Sequence, residues 1–338
     1  MNKKTAERGA SHAAPKKSPV LTEQTQPILE ALEEIQGYPV IAFWHSSNCE
    51  IGHSDVDALA HVVDRAAHAD TIGLSVKSDG GSGHEALRFI HFLRNYYKRV
   101  ILFAPFECAS AATMLALGCD EIHMGPGSFL TAVDVSLRHP LSPTDSDKDP
   151  VSVSHDEMSR IIRLWNEHPN GNPFPEVYKY IHPLVIGAVD RASSLSIRIC
   201  KELLSYHMSD GEKAERISRE LNSAYPSHSY PITAREAARL GLNVKAIDPE
   251  IESGLRKLNE LYSTMGQFLR SDIDEEHHHD NLICHILERR GRQIYYLQDR
   301  DWYYRKDEQK WCWMNNESAW HCAEQNGRGW TDRIFHVS

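Results

Sequence analysis

The segment Thr71-Ile-Gly-Leu-Ser-Val-Lys-Ser-Asp-Gly-Gly81 decides the fold class of this chain. Its apolar first half predicts a buried strand, and the paired glycines Gly80-Gly81 allow a sharp turn that leaves backbone N–H groups pointing into open space. A helical pattern follows from about His84 to Tyr97, and Val100 to Ala104 predicts the next strand. Strands that alternate with helices at this pace indicate βαβ units and a mainly parallel sheet.

The alternation continues on both sides of this segment. Before it, Tyr38 to Trp44 predicts a strand, and a helical pattern begins at Ser54-Asp55. After it, Ala109 to Leu117 predicts a buried helix of small residues, and Glu121 to Met124 predicts a fourth strand. Further helices are predicted within residues 188–222 and 233–240. We therefore expect an α/β fold, with a mainly parallel sheet and flanking helices.

Composition divides the chain into four parts. Residues 1–25 are short of large apolar side chains, which predicts a disordered tail. Residues 26–269 carry the strand–helix alternation. Residues 270–281 are acidic and rich in histidine, which predicts a linker, and residues 282–338 hold most of the tryptophans.

The short aromatic segments within 282–338 are separated by polar turns, which predicts a small β-rich domain. We interpret its aromatic side chains as core, because a small β unit needs large side chains to bury enough area. A surface that binds a protein partner is the alternative. The change of composition at the linker predicts that this domain is separable from the chain that ends at Arg270.

The charge and cysteine content narrow the class of protein. The net charge is −10, with 47 acidic and 37 basic residues, which argues against a nucleic-acid binder. No apolar stretch approaches the roughly 20 residues of a membrane span, and the basic N-terminus lacks the apolar core of a secretory signal. The seven cysteines are odd in number and show no disulfide spacing, so we expect free thiols and a cytoplasmic location.

Ser110 lies between the predicted strand that ends at Ala104 and the predicted helix that ends at Leu117. A serine at a helix N-terminus lies near the positive end of the helix dipole, and the N–H group of the next residue is free to stabilise an oxyanion. Serine is also a common N-cap, which is the structural alternative. The order of strand, Gly80-Gly81, helix, strand and serine favours a nucleophile.

Several short segments occur in a characteristic order, namely Ser78-Asp-Gly-Gly81, Ala109-Ser-Ala-Ala-Thr-Met-Leu-Ala-Leu117, Asp120-Glu-Ile122, Gly125-Pro-Gly-Ser128, Val133-Asp134, His228-Ser-Tyr-Pro-Ile-Thr233 and Ala237 to Leu242. Together they resemble the Clp/crotonase superfamily. More specifically, they are similar to the serine dehydrogenase proteinase family, which is related to signal peptide peptidase A. The resemblance covers roughly residues 38–262.

The resemblance implies a serine peptidase that acts on peptides or proteins, with Ser110 as the nucleophile. It implies an oxyanion hole formed by the backbone N–H groups of Gly80 or Gly81 and of Ala111. It also implies a homo-oligomer, because subunits of this fold usually pack into closed assemblies. No cofactor is expected.

The resemblance leaves the general base open. Clp peptidases place a histidine where this chain has Asp134-Val135, and signal peptide peptidases use a lysine, but no lysine here lies in a recognisable motif. His228 lies in a segment that matches the family, so we predict it as the base, with Asp134 as the carboxylate that orients it. A polar loop histidine and a structural carboxylate are the alternatives.

Two other activities remain open from the sequence. The same paired N–H groups serve crotonase-type acyl-group enzymes, and a degenerate hydrolase body with a partner-binding C-terminal unit is also consistent with the missing base. A zinc site is not predicted, because His277-His-His279, Cys284-His285, Cys312 and His321-Cys322 lack the paired spacing of structural zinc. A solvated linker and buried thiols account for these residues.

Overall fold

The computed structural model describes residues 14–63, 69–145, 151–167, 172, 174–327 and 329–335. The helices among them are α1 (Thr22–Gln36), α2 (His53–Val62), α3 (Gly83–Arg94), α4 (Ala111–Leu117), α5 (His155–Glu167), α6 (Phe174–Val177), α7 (Pro183–Ser205), α8 (Gly211–Ser223), α9 (Ala234–Leu240) and α10 (Pro249–Met265). The strands of the first two thirds are β1 (Val40–His45), β2 (Thr71–Lys77), β3 (Arg99–Ala104), β4 (Glu107–Cys108), β5 (Glu121–Met124), β6 (Phe129–Leu130), β7 (Ser136–Leu137), β8 (Val153–Ser154) and β9 (Val244–Ala246). The later strands are β10 (Leu269–Asp272), β11 (His277–Arg289), β12 (Arg292–Arg305), β13 (Lys310–Asn316), β14 (Ala319–Asn326) and β15 (Gly329–Phe335).

A parallel sheet in the order β1-β2-β3-β5-β9 forms the centre of the fold. Its strands are apolar on both faces because helices cover both sides, as parallel sheets require. Ile41 and Phe43 of β1 pack into the core beneath α2, α3, α4 and α7. Val40 and Trp44 point the other way, into a cluster with α1 and α10. The predicted fold class, an α/β parallel sheet with flanking helices and C-terminal β strands, is confirmed.

The predicted linker at residues 270–281 is wrong, because most of these residues lie in β10 and β11. Asp272 pairs with His278, and His279 pairs with Asp301. Strand pairing uses backbone N–H and C=O groups, so an acidic, histidine-rich segment joins a sheet when its neighbours supply the pairing. His279 is buried here rather than solvated.

The C-terminal strands extend the central sheet instead of forming a separate one. β11 pairs antiparallel with β1, from Ala42 opposite Glu288 to His45 opposite His285. Leu287, Ile294 and Trp320 pack into the same core cluster as the parallel strands. The division into a hydrolase body and a C-terminal domain stays a prediction, but the sheet and core that the two parts share among the described residues lead us to expect that they do not fold separately.

Some aromatic side chains of the C-terminal strands are buried and others are exposed. Trp320 and Tyr295 are buried, in agreement with the interpretation as core. Trp311 and Trp313 on β13 are 41% and 52% exposed, so that interpretation is wrong for them. They pair across strands instead, Trp311 with Tyr304 and Trp313 with Trp302. Partner binding by this unit stays a prediction.

The cysteines comprise five free thiols and one disulfide pair. Cys108, Cys119, Cys200 and Cys322 are free and buried, as expected for apolar segments. Cys49 and Cys284 form a disulfide across 235 residues, which corrects the expectation that all seven cysteines are free thiols. A pairing of this span leaves no local spacing to detect. The cytoplasmic location stays a prediction.

The structure describes only part of the tail that is predicted at residues 1–25. Residues 1–13 lie outside the described residues, and α1 begins at Thr22, before the predicted boundary. Lys16 N–H donates to Ser271 Oγ, and Ser18 N–H donates to Asn281 Oδ1, each over 2.7 Å.

Among the described residues, every helix is too short or too polar to cross a membrane.

Removal of residues 271–338 is expected to make the remaining chain aggregate or unfold. The truncation exposes the apolar edge of β1 and takes Leu287, Ile294 and Trp320 out of the main core. We expect the thermal unfolding midpoint to fall by roughly 10 °C or more. Met314→Thr, at an exposed position of β13, serves as the control and should change the midpoint little. A truncated chain that is monodisperse with an unchanged midpoint would show that the C-terminal unit is separable.

Candidate active site

Two segments meet at the carboxyl ends of the parallel strands. Ser78 N–H donates to Glu107 O over 3.1 Å, and Ala109 N–H donates to Ser78 O over 3.0 Å. These bonds continue the pairing beyond β2 and draw the Gly80-Gly81 turn against Ser110. In open parallel sheets, this end is where ligands bind.

Ser110 has a backbone conformation that few serines adopt. It immediately precedes α4 with φ 52° and ψ −117°, and its side chain does not cap the helix. A positive φ in a residue with a Cβ costs about 1–3 kcal/mol and is concentrated at functional sites. A sharp strand-to-helix turn of this kind presents a nucleophilic side chain to the ligand. The alternative of a capping serine is therefore wrong.

Two threonines hold this turn in place. Ser110 N–H donates to Thr131 Oγ1 over 2.8 Å, and Thr131 N–H donates to Thr113 Oγ1 over 3.0 Å. Thr113 Oγ1 in turn donates to Cys108 O over 2.8 Å. Both threonines are buried, where a satisfied hydrogen-bond network is rigid. The network offsets the strain at Ser110.

At positions 80 and 81, both the positive φ and the lack of room for a Cβ require glycine. Gly80 has φ 115°, and a Cβ there would lie 2.6 Å from Ser110 Cβ and 3.1 Å from Ala111 N. Gly81 has φ 140°, and a Cβ there would lie 2.3 Å from Ile51 N. The backbone of the turn therefore lies directly against the serine and against the loop after β1.

The N–H groups near Ser110 differ in their hydrogen bonds. Gly80 N–H donates to the buried Ser78 Oγ over 3.1 Å. Among the residues that the structure describes, the N–H groups of Gly81 and Ala111 have no acceptor. Gly81 and Ala111 consequently suit the expected role of oxyanion donors better than Gly80 does.

A cavity of about 560 Å³ opens above Ser110, within the usual range for ligand pockets. One wall is apolar and comes from α4 and α7, with Met114, Ala192, Leu195 and Ile199. The charged and histidine side chains of the lining are Glu50, Asp79, His84, Asp134 and His228. The Gly80-Gly81 turn, Ser110 and Ala111 also line the cavity.

His228 and Asp134 form a hydrogen-bonded pair in this cavity. His228 Nδ1 donates to Asp134 Oδ1 over 2.7 Å. This hydrogen bond raises the pKa of His228 above its ordinary 6.5, against the opposing effect of partial burial. Because Nδ1 is used by the carboxylate, Nε2 is the atom left for proton transfer. The structure thus brings the predicted base, its carboxylate and the predicted nucleophile to one cavity, without a direct bond between His228 and Ser110 among the described residues.

Sequence reasoning missed a buried group that supports the Gly80-Gly81 turn. Ser78 Oγ, which accepts from Gly80 N–H, also lies 3.0 Å from His45 Nδ1. Burial lowers the pKa of His45 to about 4, with a further contribution from His285. Burial also opposes the ionisation of Asp55, yet the neighbouring histidines outweigh it and hold the pKa of this carboxyl below its ordinary value. A histidine at the end of an apolar strand, as His45 is, was the available signal.

The histidine and cysteine residues considered for zinc do not gather in one place. Cys284 and His285 lie beside Cys49, His45 and Asp55. His277 and His279 face Asp301 instead, and His321 lies 3.4 Å from Asp332. The sequence could not show that Cys284 and His285 lie beside Cys49 and Asp55, because these partners come more than 200 residues earlier in the chain.

Comparisons with known proteins give distant similarities. No known protein-family model matches the chain. The uncharacterized protein MJ0137 of Methanocaldococcus jannaschii is 23% identical over 226 residues, which cover 67% of this chain and 68% of that protein. A serine-to-alanine variant of the 1510-N membrane-bound stomatin-specific protease is 17% identical, with a TM-score of 0.36 over 65% of this chain and 82% of that one. A lysine-to-alanine variant of that protease, solved with a substrate peptide, has 17% identity and a TM-score of 0.32 over 64% of this chain and 72% of that one.

Gly80→Ala is expected to destabilise the protein by about 1–3 kcal/mol, because the new methyl group needs the space of Ser110 and the backbone has a positive φ. Gly127→Ala is the matched control, since a Cβ there meets nothing within 4 Å and no positive φ is required. Its free energy of unfolding should change by less than about 0.5 kcal/mol. Denaturant unfolding of the two variants checks this, and equal effects would contradict the close approach of the turn to Ser110.

Proposed function

We propose that this chain is a serine hydrolase that cleaves peptide bonds, with Ser110 as its nucleophile. The observation that carries the proposal is the strained turn at Ser110. The Ser110 side chain does not cap α4 and lines a cavity beside the Gly80-Gly81 turn. A protein keeps such strain where the conformation is needed for function.

The oxyanion hole is assigned to the backbone N–H groups of Gly81 and Ala111. Attack by Ser110 Oγ on a carbonyl carbon places negative charge on the carbonyl oxygen, and two fixed N–H donors stabilise that charge. Ala111 N–H is at the first turn of α4, where the positive end of the helix dipole adds to the effect. Ser78 Oγ holds Gly80 in position and so supports the turn from behind.

The base is assigned to His228, oriented by Asp134. In the proposed mechanism, His228 Nε2 takes the proton from Ser110 Oγ as the tetrahedral intermediate forms, and gives it to the leaving amine as that intermediate collapses to the acyl-enzyme. A water molecule that loses its proton to the same imidazole then hydrolyses the acyl-enzyme and frees Ser110. Asp134 stabilises the resulting imidazolium through the bond to Nδ1. No lysine lines the cavity among the described residues, which favours the histidine. Asp134 is mostly shielded from solvent, while His228 is half-exposed and so accessible to a substrate.

The shape of the cavity favours a peptide with an apolar side chain next to the scissile bond. Met114, Leu195 and Ile199 line the wall beside Ser110 and would bury that side chain. Crotonase-type acyl chemistry does not require a serine at this point, whereas the strained turn presents one. The expected homo-oligomer stays a prediction.

Ser110→Ala is expected to abolish labelling by a fluorophosphonate probe and to lower peptide hydrolysis by several orders of magnitude, because the attacking oxygen is lost. Ser136→Ala is the matched control, since this exposed serine lines the same cavity outside the proposed machinery. It should be labelled as well as the wild type. Equal labelling of the wild type and Ser110→Ala would show that another residue is the nucleophile.

The pH dependence of kcat/KM should reveal His228. The base acts when its imidazole is neutral, and the bond to Asp134 raises its pKa, so activity should rise with pH through a value above 6.5. Asp134→Asn removes this effect and should move the acid limb down while lowering the rate. His228→Ala should lose about 10²–10⁴-fold in kcat.

His84→Ala is the control for this series, because His84 lines the same cavity and has no assigned role in the mechanism. It should leave the position of the acid limb unchanged. Wild-type turnover in His228→Ala would remove histidine from the mechanism, while the assignment of Ser110 would still depend on the probe experiment.

A further inference from the structure

Three ligand-type side chains meet in the interior, behind the Gly80-Gly81 turn. They are His45 at the end of β1, Asp55 in the first turn of α2 and His285 on β11. One ligand atom from each lies within 4.8 Å of the other two, and all three residues are buried. They belong to three different elements of the fold, namely two paired strands and one helix.

The hydrogen bonding of this cluster is incomplete. His285 Nδ1 lies 2.6 Å from Asp55 Oδ1, and Gly52 N–H donates to Asp55 Oδ2 over 2.7 Å. His45 Nε2 is fully buried and has no hydrogen-bond partner among the residues that the structure describes. It is directed at Asp55 Oδ1 over 3.7 Å, which is beyond hydrogen-bond reach. A buried polar atom left in this state costs free energy, and a ligand would relieve that cost.

We propose that His45 Nε2, Asp55 Oδ1 and His285 Nδ1 bind a divalent transition metal ion, with zinc as the ion that this donor set fits. A tetrahedral zinc ion with bonds of about 2.0–2.1 Å holds its ligand atoms about 3.3 Å apart. The pair at 3.7 Å is close to that spacing, and the pair at 2.6 Å has to open by less than about 1 Å. Two imidazoles and one carboxylate form a common ligand set for such ions.

The surroundings of the cluster have the features of a metal site. A metal-bound histidine normally donates its other ring N–H to a neighbouring acceptor, and Ser78 Oγ lies 3.0 Å from His45 Nδ1. The buried carboxylate of Asp55 supplies negative charge that a cation neutralises. The two histidine rings lie with centroids 4.3 Å apart, so they flank one point from adjacent strands.

A bulge in β11 brings two sulfur atoms close to His285, one of the three proposed ligands. The register shifts between Ile283 and His285, so Cys284 and His285 do not alternate as ordinary strand neighbours do. Cys284, Cys49 and His285 form a second group of ligand-type atoms within 4.8 Å of one another. As a disulfide, Cys49 and Cys284 leave the metal to nitrogen and oxygen. A dithiol reductant that supplies two electrons and two protons converts the disulfide to two thiols, and one of these releases its proton to solvent when it binds the ion as the fourth ligand.

The site would connect the C-terminal strands to the machinery around Ser110. The ion would join β11 to β1 and α2, and His45 would hold Ser78, which holds Gly80. Its role is structural and positioning, because all three ligands are buried away from the cavity. The inference does not depend on the proposed hydrolase activity.

The test uses the full-length chain without an affinity tag, purified in the absence of chelator. We expect mass spectrometry to find about one zinc ion per chain, and the chelator-stripped protein to regain one equivalent in a zinc titration. At a free zinc concentration about 100 times Kd, the unfolding midpoint should rise by roughly 5 °C. Cobalt substitution should give the visible absorption of a tetrahedral ion, and a thiolate-to-cobalt band only after reduction.

Variants locate the ion. His45→Ala and His285→Gln should each lower the bound zinc at least tenfold, while His321→Ala, on β14 outside the cluster, should retain it. Circular dichroism separates loss of the metal from loss of the fold. If a variant fails to fold, the wild-type titration and cobalt spectrum still decide. Folded wild-type protein that takes up no zinc and gives no cobalt spectrum, in either redox state, would overturn the proposal, as would zinc retained by both cluster variants.

Discussion

The close approach of the Gly80-Gly81 backbone to Ser110 is the constraint on which the rest of the site depends. A single methyl group at Gly80 would meet Ser110 Cβ at 2.6 Å, so the two chain segments are in direct contact. This contact is possible because β2 and the chain after β3 leave the sheet side by side and continue to pair through Ser78, Glu107 and Ala109. It places an N–H-rich turn beside a serine that is itself held in a strained conformation. The position of the Ser110 side chain in the cavity lining, beside the N–H groups of Gly81 and Ala111, follows from that geometry.

The polar wall of the cavity depends on contacts between segments far apart in the chain. Leu130 and Ile232 exchange two backbone hydrogen bonds, of 3.0 and 2.8 Å, and so bring the loop that carries His228 beside the strand that leads to Asp134. Val133 N–H donates to Leu221 O, and Ser196 Oγ donates to Val133 O. The helices α7 and α8 therefore position the carboxylate, which in turn orients the imidazole. Apolar side chains of α7 line the cavity, and those of both helices pack into the core.

The C-terminal strands cover the β1 edge of the parallel sheet and also contribute buried polar side chains near the Gly80-Gly81 turn. β11 continues the sheet beyond β1 and delivers Cys284 and His285 to the region behind the Gly80-Gly81 turn. Buried polar groups there depend on one another, because each lone pair or proton that finds no partner is costly in an interior of low dielectric. A hydrogen-bonded path runs from His45 through Ser78 to Gly80. The interior of the C-terminal half and the site around Ser110 are thus physically linked.

The sequence by itself determined the features that depend on local pattern. Apolar runs and helical spacing located β1, β2, β3 and β5 to within two residues, and the paired glycines and the serine before a small-residue helix marked the candidate site. The tertiary structure decided the features that depend on pairing across long separations. Residues 270–281 looked like a linker because polarity was visible and strand partners were not. Cys49 finds Cys284, and Asp55 finds His285, only because β11 folds back onto β1, and no periodicity in a chain encodes which distant strand will lie beside it.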